Sequence, residues 1–278
     1  MRQVGQSLIS ISGAVVVCAA LLFTTAQAQS LDDGKAGRGN VESEAVSLAE
    51  TRRLAEQGDV DAQVSLGGMY YLGQGVPQSY SEAFKWMHKA AEQEDAKAEV
   101  VLGYMYEKGE GTPKSYPDAL KWYHRAADQG RAEAQFNIAR MYYLGQGVPQ
   151  SYPDALKWYR KAAELGEVNA QYNLGYSYLL GEITPQSYPD ALKWLEKSAQ
   201  QGQENAQFAL GAMYQFGLGT PQKYILAHMW YNLSASQSNK GALEARNDIA
   251  SQMTPESVIK AQELAAKCLA QEYRNCGE

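Results

Sequence analysis

The sequence predicts an all-α fold, a stack of helical hairpins, and three observations carry that reading. The five Trp residues, Trp86, Trp122, Trp158, Trp194 and Trp230, each stand 36 residues from the next. Gly73, Gly109, Gly145, Gly181 and Gly217 recur at the same interval, each followed by Pro77, Pro113, Pro149, Pro185 or Pro221. Between these marks the apolar residues step by three and four, the period of a helix face. Two short helices per unit cannot bury both faces alone, so each unit must pack on its neighbours, which makes an α-solenoid.

Taken in order, residues 1–28 read as a secretory signal peptide: Arg2, an apolar run through Val15, Val16, Val17, Leu21, Leu22 and Phe23, then Ala26-Gln27-Ala28 before a cleavage point at Gln29. Acylation of Cys18 is the competing reading, and bulky Val17 before it counts against that. The mature chain is expected in the periplasm or outside the cell, with no membrane insertion after cleavage. Residues 29–42, polar and rich in Gly, suit a flexible leader. Residues 43–58 carry Ala45, Leu48, Ala49, Leu54 and Ala55 and stop at Gly58, the pattern of an N-terminal capping helix.

Residues 59–240 hold five units. In the first helix of each, here helix A, Ala62, Leu66, Gly67 and Tyr70 head columns on one face, and the central Gly calls for close approach of another backbone. Helix A ends at the Gly column, where a residue without Cβ takes the left-handed conformation. Ser79, Ser115, Ser151 and Ser187, each with an acid three residues on, form capping boxes for the second helix, helix B. Lys223 breaks that box in the fifth unit. Ala83, Trp86 and Ala90 head the buried stripe of helix B. Residues 241–278 read as capping helices and a tail, the last helix starting at Thr254-Pro255-Glu256. Cys268 and Cys276 in that tail read as a disulfide in an oxidising compartment.

The unit of Ala-Gln, Leu-Gly, Tyr, Gly-x-Gly-Val, Tyr, Ala and Lys-Trp-Tyr-x-Lys-Ala-Ala, clearest from Ala134 to Ala163, resembles the Sel1-like repeat, a relative of the tetratricopeptide repeat. The resemblance spans about residues 60 to 240. It implies a right-handed superhelical solenoid used as a scaffold for protein complexes, with secreted bacterial members linked to envelope signalling, polysaccharide export or host contact. The chain departs from the cysteine-rich branch, which has a Cys pair in every repeat.

The net charge of −6, without a basic block, argues against nucleic-acid binding. The Gly-x-Gly loops follow helices rather than strands and read as helix stops, not phosphate cradles. His88 and His124 fall on a solvated face, and no metal or other cofactor is expected. Ser257-Val258-Ile259-Lys260 matches the Ser-x-x-Lys spacing of β-lactam-recognising hydrolases, but it lacks their companion motifs and already serves as a helix start. The protein is therefore read as non-enzymatic, an envelope hydrolase using Ser257 being one alternative.

Subtraction locates the candidate site. Of 19 Tyr, ten fill the columns headed by Tyr70 and Tyr80, and Tyr123, Tyr159 and Tyr231 follow a Trp. Tyr273 lies in the tail and Tyr172 in a packing column, which leaves Tyr71, Tyr104, Tyr143 and Tyr176 on the variable side of helix A. With Asn137, Arg140 and Asn173 they are expected to line a concave groove for a protein or peptide partner, since Tyr and Arg are enriched at interface hot spots. A glycan stacking on the same Tyr residues is the second alternative.

Overall fold

The computed structural model describes residues 39–273 and Cys276. The signal segment 1–28 and most of the leader 29–42 lie outside the described residues. The described residues form thirteen α-helices and no strand, and the chain divides into two compact units between Arg131 and Ala132. The architecture is the expected α-solenoid of helical hairpins.

The first unit contains α1 (Gly39–Glu56) and the hairpins α2/α3 (Val60–Leu72, Tyr80–Glu92) and α4/α5 (Ala96–Lys108, Tyr116–Asp128). The second contains the hairpins α6/α7 (Ala132–Leu144, Tyr152–Glu164), α8/α9 (Val168–Leu180, Tyr188–Ala199) and α10/α11 (Glu204–Phe216, Tyr224–Ser236), then α12 (Lys240–Ala250) and α13 (Pro255–Ala270).

Each hairpin is set by its ends. The Gly column ends helix A with positive φ, from 67° at Gly145 and Gly217 to 77° at Gly109. Past the turn the Ser79 N–H donates to the Tyr70 carbonyl (2.9 Å), with matching bonds from Ser115, Ser151 and Ser187. The same Ser residues cap helix B, Ser79 Oγ accepting from the Glu82 N–H at 3.3 Å. In three units the acid accepts a hydrogen bond from the Ser hydroxyl instead of from a backbone N–H, as Asp154 does from Ser151 at 2.6 Å. Lys223 makes no side-chain cap. Helix A has caps of its own, Asp59, Asp95, Glu167 and Gln203 accepting from the N–H three residues on, and Asn239 caps α12 in the same way.

Packing departs from the sequence reading at two columns. On helix B the residue after the Trp is more deeply buried than the Trp itself: Met87, Tyr123, Leu195 and Tyr231 are wholly or almost wholly enclosed. These side chains need the central Gly of helix A, and at Gly175 a backbone needs it too, since a Cβ there would stand 3.0 Å from the Leu195 backbone nitrogen. A Cβ on Gly103 would stand 2.6 Å from the Tyr123 ring, and one on Gly211 2.6 Å from the Tyr231 ring. Trp122, Trp194 and Trp230 are buried as the stripe predicts, Trp86 and Trp158 only partly so, and in four units a cation one turn on covers the indole: Lys89 at 4.1 Å, Arg125 at 4.7 Å, Lys161 at 4.4 Å and Lys197 at 4.7 Å. The aliphatic stems thereby shield the ring while the charge stays wet.

A buried polar column ties consecutive hairpins together. Gln63, Gln171 and Gln207 donate to the carbonyls of Ala55, Ala163 and Ala199 at the end of the preceding helix B (3.1–3.2 Å). Each accepts from a Gln thirty residues on, Gln93, Gln201 or Gln237, at 2.8–2.9 Å. The second repeat has Glu99 here, 0% exposed, which cannot donate. Arg125 supplies the missing donor, its Nε 2.9 Å from Glu99 and its other arm on the Ala91 carbonyl at 3.3 Å. In the third repeat Leu165 replaces the outer Gln, 56% exposed, and buried Gln135 Oε1 has no hydrogen-bond partner.

At the C-terminal end Cys268 and Cys276 are placed as a pair with Cα atoms 5.0 Å apart. The turn between them lays the Tyr273 ring against Gly202, where a Cβ would stand 3.0 Å from the ring.

Candidate functional site

The seven residues singled out from the sequence fall into two groups, one in each unit. In the first unit Tyr71 ends α2, Tyr80 starts α3 and Tyr104 lies on α4, with Glu110 in the turn that follows. The Tyr71 hydroxyl donates to Glu110 Oε2 at 2.8 Å, and its ring sits 5.2 Å from that of Tyr80, tilted by 57°. Gln78 Nε2 holds the pair, donating to the Tyr71 carbonyl at 2.9 Å and to the Tyr80 hydroxyl at 3.3 Å. The turn comes so close that a Cβ on Gly111 would fall 2.1 Å from the Tyr80 carbonyl oxygen, and its φ of 73° likewise demands Gly. Tyr104 lies beside Tyr71, and the Lys108 ammonium stands 5.5 Å from its ring. Behind them Glu107, 4% exposed, accepts from the Tyr123 hydroxyl at 3.2 Å and pairs with Lys108 at 3.7 Å. Burial and the Glu110 carboxylate push the Tyr71 phenol well up, so it stays a protonated donor, and burial with the same charge raises the Tyr104 phenol.

In the second unit Tyr143 ends α6, Tyr152 starts α7 and Tyr176 lies on α8, with Glu182 in the next turn. The Tyr143 and Tyr152 rings are 5.4 Å apart at 47°, and Gln150 holds them as Gln78 does, on the Tyr143 carbonyl at 2.8 Å and the Tyr152 hydroxyl at 3.3 Å. Burial raises the Tyr143 and Tyr176 phenols, with the Glu182 charge adding to it. Tyr172 stacks beside Tyr176 at 5.6 Å.

Asn137, Arg140 and Asn173 occupy a different depth. Asn137 is 8% exposed and Arg140 5%, so both belong to the floor of α6 rather than to its rim. Arg140 and half-buried Asn173 stand at the phenol of Tyr159, the Asn173 side chain hydrogen-bonded to it. They brace the core ring beside which Tyr143 packs.

Sequence reasoning passed over Tyr80, Tyr152, Glu110 and Glu182. Tyr80 and Tyr152 belong to a column that is Tyr in all five repeats, and Glu110 and Glu182 sit in turns that read as helix stops. One signal would have found them: Tyr71, Tyr80, Tyr104 and Glu110 recur together 72 residues later as Tyr143, Tyr152, Tyr176 and Glu182.

Ser257 offers no comparable arrangement. Its N–H and hydroxyl are both engaged by Thr254 Oγ1, at 3.3 Å and 3.1 Å, as the start of α13. Among the described residues no group of three or more His, Cys, Asp or Glu could hold a metal, and no helix is long and apolar enough to cross a membrane.

Comparison with known proteins adds the following. The Sel1 repeat family matches residues 60–95, 96–130, 132–167, 168–203 and 205–239. Among solved structures, a Sel1 repeat protein from Oxalobacter formigenes is similar at 34% identity and a TM-score of 0.70, over 73% of this chain and 59% of that one. A protective antigen present in uropathogenic Escherichia coli strains, displaying an SLR fold, is similar at 29% identity and a TM-score of 0.55, over 84% of this chain and 58% of that one. The chain thus spans about three fifths of the length of these relatives. A search of proteins with curated functions finds no match.

Proposed function

The chain belongs to the Sel1 repeat family, and from that premise we propose that it is a non-enzymatic scaffold of the cell envelope that binds a protein partner through the variable face of helix A. Repeats of this family generally serve as protein-interaction scaffolds. The observation that carries the reading is the set of half-buried Tyr residues, Tyr71, Tyr104, Tyr143 and Tyr176, at positions where the repeats differ from one another. Template residues have structural duties in every unit; these four do not, and a rigid phenol offers large contact area at low entropic cost. Tyr71 and Tyr143 are held by a Gln clamp, Tyr176 by the Tyr172 ring and Tyr104 by its contact with Tyr71, so the surface is preorganised.

The N-terminal pattern ending at Ala28 and the adjacent Cys268 and Cys276 support a periplasmic or secreted location with a C-terminal disulfide. A mature N-terminus at Gln29 and recovery in the periplasmic or extracellular fraction are the expected results.

The functional test is photo-cross-linking in intact cells from a probe placed at Gln74, an exposed position next to the Tyr71 group. We expect one principal trapped protein, lost on the combined substitution Tyr71→Ala, Tyr104→Ala and Tyr176→Ala with the helical circular dichroism unchanged. Retention of that protein by the variant would overturn the assignment of this face. Trapping of envelope polysaccharide with no protein would favour the glycan reading.

A further inference from the structure

The Tyr-Tyr-Tyr-Glu constellation occurs twice, once in each unit, and its chemistry is more specific than that of an aromatic patch. In the first unit the Tyr71 hydroxyl meets Glu110, the Tyr80 ring packs on that of Tyr71, and Tyr104 lies beside Tyr71 within reach of the Glu110 charge. In the second the Tyr143 ring packs on Tyr152, and the Glu182 charge acts on the phenols of Tyr143 and Tyr176. Ring faces carry negative electrostatic potential, and a carboxylate beside them supplies full charge; that combination attracts an ammonium or guanidinium and gives a neutral side chain nothing equivalent.

The intervening and following repeats do not keep the set. The corresponding positions hold Glu107, Tyr116, Arg140 and Gln146, and then Leu179, Tyr188, Ala212 and Leu218. Four residues that return together after two repeats, in a chain whose one-repeat template does not require three of them, are a unit.

Resting on the scaffold reading above, we propose that each of these two bays receives a Lys or Arg side chain of the partner protein, so that the partner presents a basic segment. The first bay already shows what it accepts: the chain's own Lys108 holds its ammonium over the Tyr104 ring. That lysine, paired with Glu107, is a resident competitor that an incoming cation displaces. The second bay has Leu180 at the position of Lys108 and no such competitor on that helix turn, but the buried Arg140 lies behind its floor and opposes a second positive charge. The first bay carries two carboxylates against one lysine, and it is therefore the stronger of the two.

The test uses the mature chain labelled with 3-fluorotyrosine, titrated at low salt with N-acetyl-lysine amide, N-acetyl-arginine amide and the neutral isostere N-acetyl-norleucine amide. The two cationic probes should shift the Tyr71 and Tyr104 resonances saturably, and the norleucine probe should not. Glu110→Gln keeps an acceptor for the Tyr71 hydroxyl but removes the charge, and should weaken the cationic probes at least threefold. Lys108→Leu, which copies the second bay, should tighten them at least twofold. The two variants move in opposite directions, so a general loss of folding cannot imitate the result. Equal response to norleucine and lysine, or no change in either variant, overturns the proposal.

Cross-linking separates this inference from the scaffold reading. If Glu110→Gln combined with Glu182→Gln still traps the wild-type partner undiminished, the cation bays are wrong and the scaffold stands. If the wild-type chain traps no protein at all, the scaffold reading falls.

Discussion

Removing Arg125 should expose how much the second repeat depends on a compensated substitution. In Arg125→Ala the Glu99 carboxylate, 0% exposed, keeps only the Gln129 amide at 2.8 Å, and the Ala91 carbonyl loses its donor. Breaking a buried ion pair from one side costs about 3–5 kcal/mol. Arg125 is itself 37% exposed, so water can enter the space it leaves, and the expected loss is about 2–4 kcal/mol. In a chain of this size each kcal/mol moves the melting midpoint by about 2–4 °C, which places the drop at roughly 5–15 °C.

Glu99→Gln in the same background restores the ladder chemistry, because its amide can donate to the Ala91 carbonyl as Gln63 does to Ala55. The double variant should recover at least half of the loss. The pH dependence gives a second check. Burial raises the Glu99 carboxyl above 4.5 and Arg125 pulls it back, so the folded state binds this proton more tightly than the unfolded chain does. Stability from this group is therefore greatest below that value and falls as pH climbs through the raised one. Without Arg125 the rise is larger, so the deficit must be greater at pH 7 than at pH 5, and Glu99→Gln should abolish the difference. Thermal and urea melts followed by circular dichroism decide it. A double variant no more stable than Arg125→Ala would refute the reasoning.

Three further substitutions test the polar column and the caps. Leu165→Gln should give buried Gln135 Oε1 its missing donor for the loss of a mostly exposed Leu, a gain of about 1 kcal/mol, while Gln201→Leu, which creates the same defect under Gln171, should lose a similar amount; both are read as shifts in urea midpoint at unchanged slope. Lys223→Ser should supply the cap absent from α11 and stabilise by about 0.5–1 kcal/mol, visible as slower amide exchange in the first turn of that helix.

Much of the fold was legible because its determinants are local. Gly at the end of helix A, Ser and acid at the start of helix B, and Ala and Leu at helical spacing each act over a few residues, so their recurrence every 36 residues announces the hairpin before any contact is known. The burial order within helix B was not legible in that way. Trp86 and Met87 are neighbours in sequence, and only the position of helix A decides that Met87 is enclosed while Trp86 lies under Lys89. The same limit applies to the candidate site. Tyr71 and Tyr104 were found because they depart from the template, but Tyr80 conforms to it and Glu110 lies in a turn, and neither could be joined to them without the 2.8 Å hydroxyl–carboxylate bond. Asn137 and Arg140 depart from the template too, yet they face inward.

The sequence by itself determined the helices, their ends, the hairpin unit and its number, since these follow from backbone preferences and from the need of each amphipathic pair for a neighbour. Tertiary structure alone decided which variable residues share a bay, which carboxylate meets which phenol, and which polar side chains turn inward to carry the Gln column. Those outcomes depend on contacts between residues about thirty to forty positions apart, where small differences in helix placement choose between burial and exposure, and no local pattern encodes that choice.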